Sequence, residues 1–156
     1  MVQQIITSPL GNIILSWSHN ALTALHFTEE AVSTTSPKTP LHGVNLQLAD
    51  YFAGRRKTFD LPLNPAGTPF QKKVWQELST LGYGKTCNYQ EIANRLGASN
   101  ATRAVATAIA KNPLLLVIPC HRVLGKNGTL TGFSAGLWRK KYLLEHEQQA
   151  YQTQLF

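Results

Sequence analysis

The pentapeptide Pro119-Cys120-His121-Arg122-Val123 sets a thiol between a proline and an imidazole, with a guanidinium one residue further on. A cysteine so placed can act as a nucleophile, because the thiolate is the reactive form and cationic neighbours favour it. The preceding run Leu114-Leu115-Leu116-Val117-Ile118 predicts a buried strand that Pro119 ends, delivering the thiol at the strand's edge. An unpaired cysteine is more often a small buried hydrophobe than a nucleophile, so this segment alone leaves both readings open. The chain's other thiol, Cys87, lies in Lys85-Thr86-Cys87-Asn88 with no histidine beside it, and reads as structural or incidental.

The elements that must position Cys120 are legible on either side. The stretches 4–7, 12–18 and 22–28, separated by Ser8-Pro9-Leu10-Gly11 and His19-Asn20-Ala21, predict an antiparallel meander. Ser33 to Pro40 reads as a loop. Leu46, Ala49, Tyr51 and Phe52 suggest a short helix ended by Gly54, and residues 55–67 form a linker. The second lobe opens with Thr68 as cap, Pro69 at the first helical position and Gln71 closing a capping box. That helix is predicted to run to about Leu81, burying Phe70, Val74, Trp75, Leu78 and Leu81. Tyr89, Ile92, Ala93 and Leu96 mark a second helix. After a turn, Asn100 can cap a third that buries Ala101, Ala104, Val105, Ala108 and Ile109. Two short helices joined this way resemble a helix-turn-helix. The outer face of the third carries Asn100, Arg103 and Thr107 beside Ala106 and Ala110, which suits a DNA groove but equally a solvated helix face. Ser134 can cap a last helix that packs Leu137, Trp138, Tyr142 and Leu144 inward and points Arg139, Lys140 and Lys141 to solvent. The expected class is α+β, with a strand-rich lobe over 1–66 and a helical lobe with a winged helix-turn-helix-like unit over 67–156.

At 156 residues, 43% of them hydrophobic, the chain can fill a real core. No apolar stretch approaches the ~20 residues that span a bilayer. The start Met1-Val2-Gln3-Gln4-Ile5 lacks a basic region followed by a secretory core. These features predict a soluble cytoplasmic protein with no membrane partner. Two cysteines in unlike settings do not suggest a disulfide, and five scattered histidines show no zinc-ligand spacing, so no metal is expected. The formal charge of +7 is confined to one lobe. Residues 1–66 carry four basic and four acidic side chains, and the rest carry eleven basic against four acidic. A positive field on one lobe suits a polyanion.

Together these pieces resemble one family. The run Asn112-Pro113-Leu114-Leu115-Leu116-Val117-Ile118-Pro119-Cys120-His121-Arg122-Val123 is similar to the signature of the O6-alkylguanine-DNA alkyltransferases. Arg103-Ala104-Val105 stands upstream at the family's spacing and Gly132-Phe133-Ser134-Ala135-Gly136 follows. The resemblance covers Thr68 to Glu147; the first lobe matches loosely. It implies transfer of an alkyl group from guanine O6, and from O4-alkylthymine, in duplex DNA to a cysteine sulfur. That transfer is a single irreversible turnover by a monomer without a cofactor, on a base flipped from the stack.

The same resemblance implies roles for individual residues. Cys120 is the alkyl acceptor, His121 its base through a water, and Glu147 the group that orients the imidazole. The Tyr89 hydroxyl would donate to the guanine ring, the Ser134 backbone N–H to O6, and the Val123 carbonyl would accept from the exocyclic amine, with Phe133 lining the same pocket. Asn112 would tie the recognition helix to the active segment. Arg103 would fill the gap left by the flipped nucleotide, with its helix in the minor groove. Asn100 and Thr107, read from the same helix face, and Arg122 are further candidate DNA contacts. Two departures stand out: Ala106 and Thr107 occupy positions where the family often has glycine, and a branched Thr131 should restrict bulkier alkyl groups. Three rivals remain. They are an alkyltransferase-like protein that binds alkylated guanine without accepting the group, a winged-helix regulator that senses through Cys120, and a cysteine hydrolase with multiple turnovers.

Overall fold

The computed structural model describes residues 2–32 and 43–155, with side chains as far as Gln148. The loop predicted over Ser33 to Pro40 lies outside the described residues. The chain divides into two compact units, Met1–Ala66 and Gly67–Phe156.

In the first unit β1 (Val2–Ile6), β2 (Asn12–Ser18) and β3 (Ala21–Thr28) form an antiparallel sheet in the order β1-β2-β3. The β2–β3 turn places His19 and Asn20 at φ 52° and 64°, the left-handed pair of a tight hairpin whose twist matches its strands. Ile13, Leu15, Trp17, Leu22 and Leu25 are buried, as are Val44, Leu48 and Tyr51 of α1 (Val44–Phe52). Alternation along β2 is what lets one sheet face supply this core. Leu46, expected inside, is exposed; the buried α1 position is instead Gln47. Its amide exchanges two hydrogen bonds with the Asp60 backbone, at 2.9 and 3.0 Å, and so fixes the linker.

The second unit begins with α2 (Pro69–Leu78), whose capping box between Thr68 and Gln71 forms as the sequence predicts. The helix stops three residues short of Leu81, and Phe70 is partly exposed. Val74, Trp75 and Leu78 face inward, and the Trp75 indole N–H donates to the Ala108 carbonyl at 2.9 Å. This bond ties α2 to α4 (Thr102–Ala110), the helix on which Arg103 rides. Between them α3 (Tyr89–Arg95) is capped by Asn88, whose side chain accepts from the Glu91 N–H at 2.8 Å. Gly97 at φ 67° ends α3 and lets the Ala98 N–H reach back to the Ala93 carbonyl. The Gln90 amide bridges the turn, donating to the Ser99 carbonyl and accepting from the Thr102 hydroxyl. The α4 cap is Ala101, without a side-chain bond, so Asn100 does not cap it.

Two other expectations are corrected. Residues 114–118 are not a strand: Leu116 sits at φ 71°, and the Ile118 N–H turns back to the Leu114 carbonyl. The apolar run is buried as a compact turn bracketed by Pro113 and Pro119. The second unit also pairs β4 (Cys87–Asn88) with β5 (Val123–Leu124) in parallel, which joins the start of α3 to the residues after Cys120. Finally, α5 (Leu137–Leu155) follows Gly136 at φ 96° without a Ser134 cap, and it buries a different face from the one predicted. Leu137 and Trp138 are 45% and 58% exposed, while Lys140, Leu143 and Glu147 point inward.

Candidate active site

Cys120 opens a single 3-10 turn (Cys120–Arg122) and is buried. The segment that presents it is held by one side chain. Asn112, just past the end of α4, donates through Nδ2 to the Ile118 carbonyl at 2.8 Å and accepts through Oδ1 from the Leu114 N–H at 2.9 Å. The clamp closes the strained turn at Leu116, where a left-handed φ costs a side-chain-bearing residue on the order of 1–2 kcal/mol. Two buried hydrogen bonds thus join Asn112, just past the end of α4, to the turn that leads into Cys120.

Behind Cys120, a buried network joins the next two residues to α5. His121 Nε2 lies 2.8 Å from Glu147 Oε2. The Arg122 guanidinium donates to Glu147 through Nε (2.8 Å) and Nη2 (3.1 Å), and through Nη1 to the Leu81 carbonyl (2.6 Å). The Gly84 N–H adds a longer contact to Glu147 Oε1 at 3.4 Å. Burial alone would raise the Glu147 pKa, but His121 and Arg122 outweigh it and hold the carboxyl well below its usual range. Burial lowers the His121 pKa against the pull of Glu147, so the ring is neutral near pH 7 and Arg122 is the charge that matters. Acceptance by Glu147 fixes the proton on Nε2 and leaves Nδ1 as the ring's lone pair, buried and without a hydrogen-bond partner among the described residues.

Two sequence expectations change here. Arg122 is only 6% exposed and committed to Glu147, so it is a buried structural cation and not a DNA contact. Nor do the flanking cations produce a thiolate. Burial pushes the Cys120 thiol up to about 11, although Asn112, Lys140 and the cysteine's own backbone N–H all favour ionisation. Cys87, buried against Val123 in the parallel pair, is likewise pushed up by burial to about 11.

Cys120 opens into a cleft of ≈ 520 Å³ lined by Tyr89, by Ala106, Ile109 and Ala110 of α4, and by Thr131, Gly132, Phe133 and Ser134. The small residues on α4 leave room beside the sulfur. Tyr89, at the first position of α3, aims its hydroxyl at the Thr131 carbonyl, 3.4 Å away. Gly132 sits opposite at φ 51°, where an added Cβ would lie 3.4 Å from the Tyr89 hydroxyl. Val123 does not line this cleft; it is buried in β5. A second, shallower groove of ≈ 690 Å³ runs along the outer side of α4, where Asn100, Arg103 and Thr107 meet Thr68, Phe70 and Gln71 at the start of α2. The structure therefore gathers Cys120, Tyr89, Phe133 and Ser134 at one cleft, His121 and Glu147 behind it, and Asn100, Arg103 and Thr107 beside it.

One residue of the site escaped the sequence. Lys140, expected in solvent, is 0% exposed, and its ammonium donates to the Thr131 carbonyl at 2.6 Å and the Gly132 carbonyl at 3.3 Å. Its spacing from Leu143 and Glu147 is the helical signal that marks the buried face of α5.

Residues 1–65 match the family described as 6-O-methylguanine DNA methyltransferase, ribonuclease-like domain, and residues 69–149 match that described as 6-O-methylguanine DNA methyltransferase, DNA binding domain. A methylated-DNA–protein-cysteine methyltransferase of Methanosarcina acetivorans is 40% identical over 153 residues, covering 94% of this chain and 98% of its own. The constitutive enzyme of that name from Bacillus subtilis is 41% identical over 154 residues, covering 92% and 93%. Among solved structures, Mycobacterium tuberculosis OGT in complex with DNA superposes with a TM-score of 0.86 at 41% identity, over 95% of this chain and 93% of that one. By these matches over nearly its whole length, the chain belongs to the 6-O-methylguanine DNA methyltransferase family.

Proposed function

We propose that this protein repairs duplex DNA by direct reversal, moving the alkyl group of O6-alkylguanine, and of O4-alkylthymine, to Cys120 Sγ. The observation that carries the reading is the cleft: a buried thiol faces a cavity whose size suits an everted base, with donors on the opposite wall. The α4 face with Arg103 and the wholly basic excess of the second unit supply the DNA contact. Arg103 fills the place of the flipped nucleotide.

In the reaction the S–C bond forms as the C–O6 bond breaks. The thiol proton passes to the neutral His121 ring at Nδ1 through a water, and the Glu147 carboxylate, accepting at Nε2, stabilises the imidazolium. The electron pair released onto O6 spreads into the guanine ring, where the Tyr89 hydroxyl and the Ser134 N–H stabilise it. The ring takes up a proton from solvent water, which restores guanine, and the His121 imidazolium returns the thiol's proton to solvent. The thioether is stable, so each molecule acts once. Two free thiols fit a reducing cytoplasm, and a cleft built wholly from the second unit fits a monomer.

Intact-mass spectrometry after mixing with duplex DNA that holds one O6-methylguanine tests this. One methyl per molecule on Cys120, absent from Cys120→Ser, is the expected result. An unmodified protein bound to that DNA would overturn it in favour of a recruitment role, and repeated turnover would favour a hydrolase.

A further inference from the structure

Two basic side chains are buried in the second unit, Arg122 and Lys140, and they are treated differently. Arg122 is neutralised by Glu147. Lys140 has no carboxylate within ion-pair distance among the described residues; its ammonium rests on the carbonyls of Thr131 and Gly132, at the wall of the cleft that holds Cys120. A buried cation without a counter-ion is costly, and carbonyl oxygens offset only part of that cost. Its place beside a thiol that must become an anion supplies the missing partner.

We propose that Lys140 is the resident counter-charge for the Cys120 sulfur and, through the Thr131 and Gly132 carbonyls, the positioning residue of the cleft wall. This rests on the alkyl-transfer reading for its biological use, though not for its chemistry. The ammonium favours the thiolate as the proton leaves. It also polarises the Thr131 carbonyl toward which Tyr89 aims, so that charge and geometry are set by one side chain. The groups that share its field are Cys120 and His121, with the Arg122–Glu147 pair behind His121 and the Tyr89 hydroxyl across Thr131. Burial brings Lys140 down to about 8, against the opposing pull of Cys120, so the counter-charge can itself be titrated.

The test uses the whole protein and methyl iodide, with no DNA, and reads S-methylation of Cys120 by mass. In the native protein the rate should rise tenfold per pH unit up to about pH 8. It should then run level for about one unit as the ammonium is lost, and rise again. Lys140→Met should react about tenfold more slowly at pH 7 and show no shelf. Lys140→Arg should recover most of the rate and also lack the shelf, because a guanidinium does not titrate there. An unbroken tenfold-per-unit rise in the native protein, or a Lys140→Met rate equal to native at pH 7, overturns the proposal. The native profile needs no variant to fold. If the shelf is present but O6-methylguanine DNA leaves Cys120 unmodified, Lys140 keeps its role and only the repair reading fails.

Discussion

Replacing Glu147 with glutamine exchanges one oxygen for an NH2 and hardly alters the side chain's size, so its effects report charge and hydrogen bonding. Four donors converge on the carboxylate: His121 Nε2 and Arg122 Nη2 on Oε2, Arg122 Nε and the Gly84 N–H on Oε1. Glutamine offers one oxygen. Turned so that this oxygen meets Arg122 Nε, its NH2 opposes Arg122 Nη2. His121 must then accept at Nε2 by moving its proton to Nδ1, which removes the lone pair that takes the thiol proton. Turned the other way, the tautomer survives but Arg122 Nε loses its acceptor. Either arrangement leaves a buried guanidinium without its counter-ion, a loss of about 3–5 kcal/mol. Loss of the general base should slow methyl transfer by ~10²–10⁴. Urea unfolding and quenched single-turnover transfer from O6-methylguanine DNA measure the two effects separately. The pH dependence has a definite sign. The folded pKa of Glu147 lies below the unfolded value of ~4.3, so its stabilisation is complete above that pH and drains away as pH falls toward the native value. Native protein and variant should therefore differ most at neutral pH and converge in acid. A Glu147→Gln protein with the native urea midpoint and the native transfer rate at pH 7 would refute the assigned network.

Asn112→Ala should destabilise the protein by about 2–4 kcal/mol, because it strands the buried Leu114 N–H and Ile118 carbonyl; an unchanged denaturation midpoint would show that the turn needs no clamp. Arg103→Ala, at an exposed site, should leave stability within ~0.5 kcal/mol of native. It should also weaken duplex binding and reduce the slope of log affinity against log salt by about one; native affinity with a native slope counts against the α4 interface. Thr131 lines the cleft, so benzyl adducts should transfer more slowly than methyl adducts and Thr131→Gly should narrow the gap, whereas equal rates in the native protein sink the idea.

Where local chemistry decides the outcome, the sequence was readable. Thr68, Pro69 and Gln71 build the start of α2 from their own side chains, and the hairpin strands follow from alternation and turn residues. The failures are places where a distant partner decides. Leu114 to Ile118 has strand composition, but only Leu114 forms a single bridge, and Asn112 supplies hydrogen bonds that curl the segment into a turn. On α5, apolar spacing points to Leu137, Trp138 and Tyr142, yet these stay exposed because the inward face belongs to Lys140 and Glu147. A charged side chain can be buried only when its partner is in place; Glu147 finds His121 and Arg122 26 and 25 residues away in sequence, and Lys140 finds backbone carbonyls of Thr131 and Gly132, which no side-chain pattern announces. Arg122 misleads for the same reason: nothing near it in the chain announces Glu147, 25 residues away.

The resting state of Cys120 imposes a constraint that the rest of the site answers. With the thiol at about 11, the thiolate fraction near pH 7 is ~10⁻⁴, so stray electrophiles meet an almost inert sulfur. For a protein consumed by a single alkylation, that latency preserves it for the intended lesion. The same burial would make repair slow unless the proton can be taken and the new anion stabilised at the moment of reaction. In the proposed reaction His121 meets the first demand and Lys140 the second, and both are held ready by the resting network. Arg122 and Glu147 neutralise one another, His121 is held neutral with its lone pair set by Glu147, and Lys140 rests on carbonyls of the cleft wall. A substitution that brought the Cys120 pKa into the neutral range would therefore not improve the protein. It would react faster with any small alkylating agent and have fewer active molecules left for DNA.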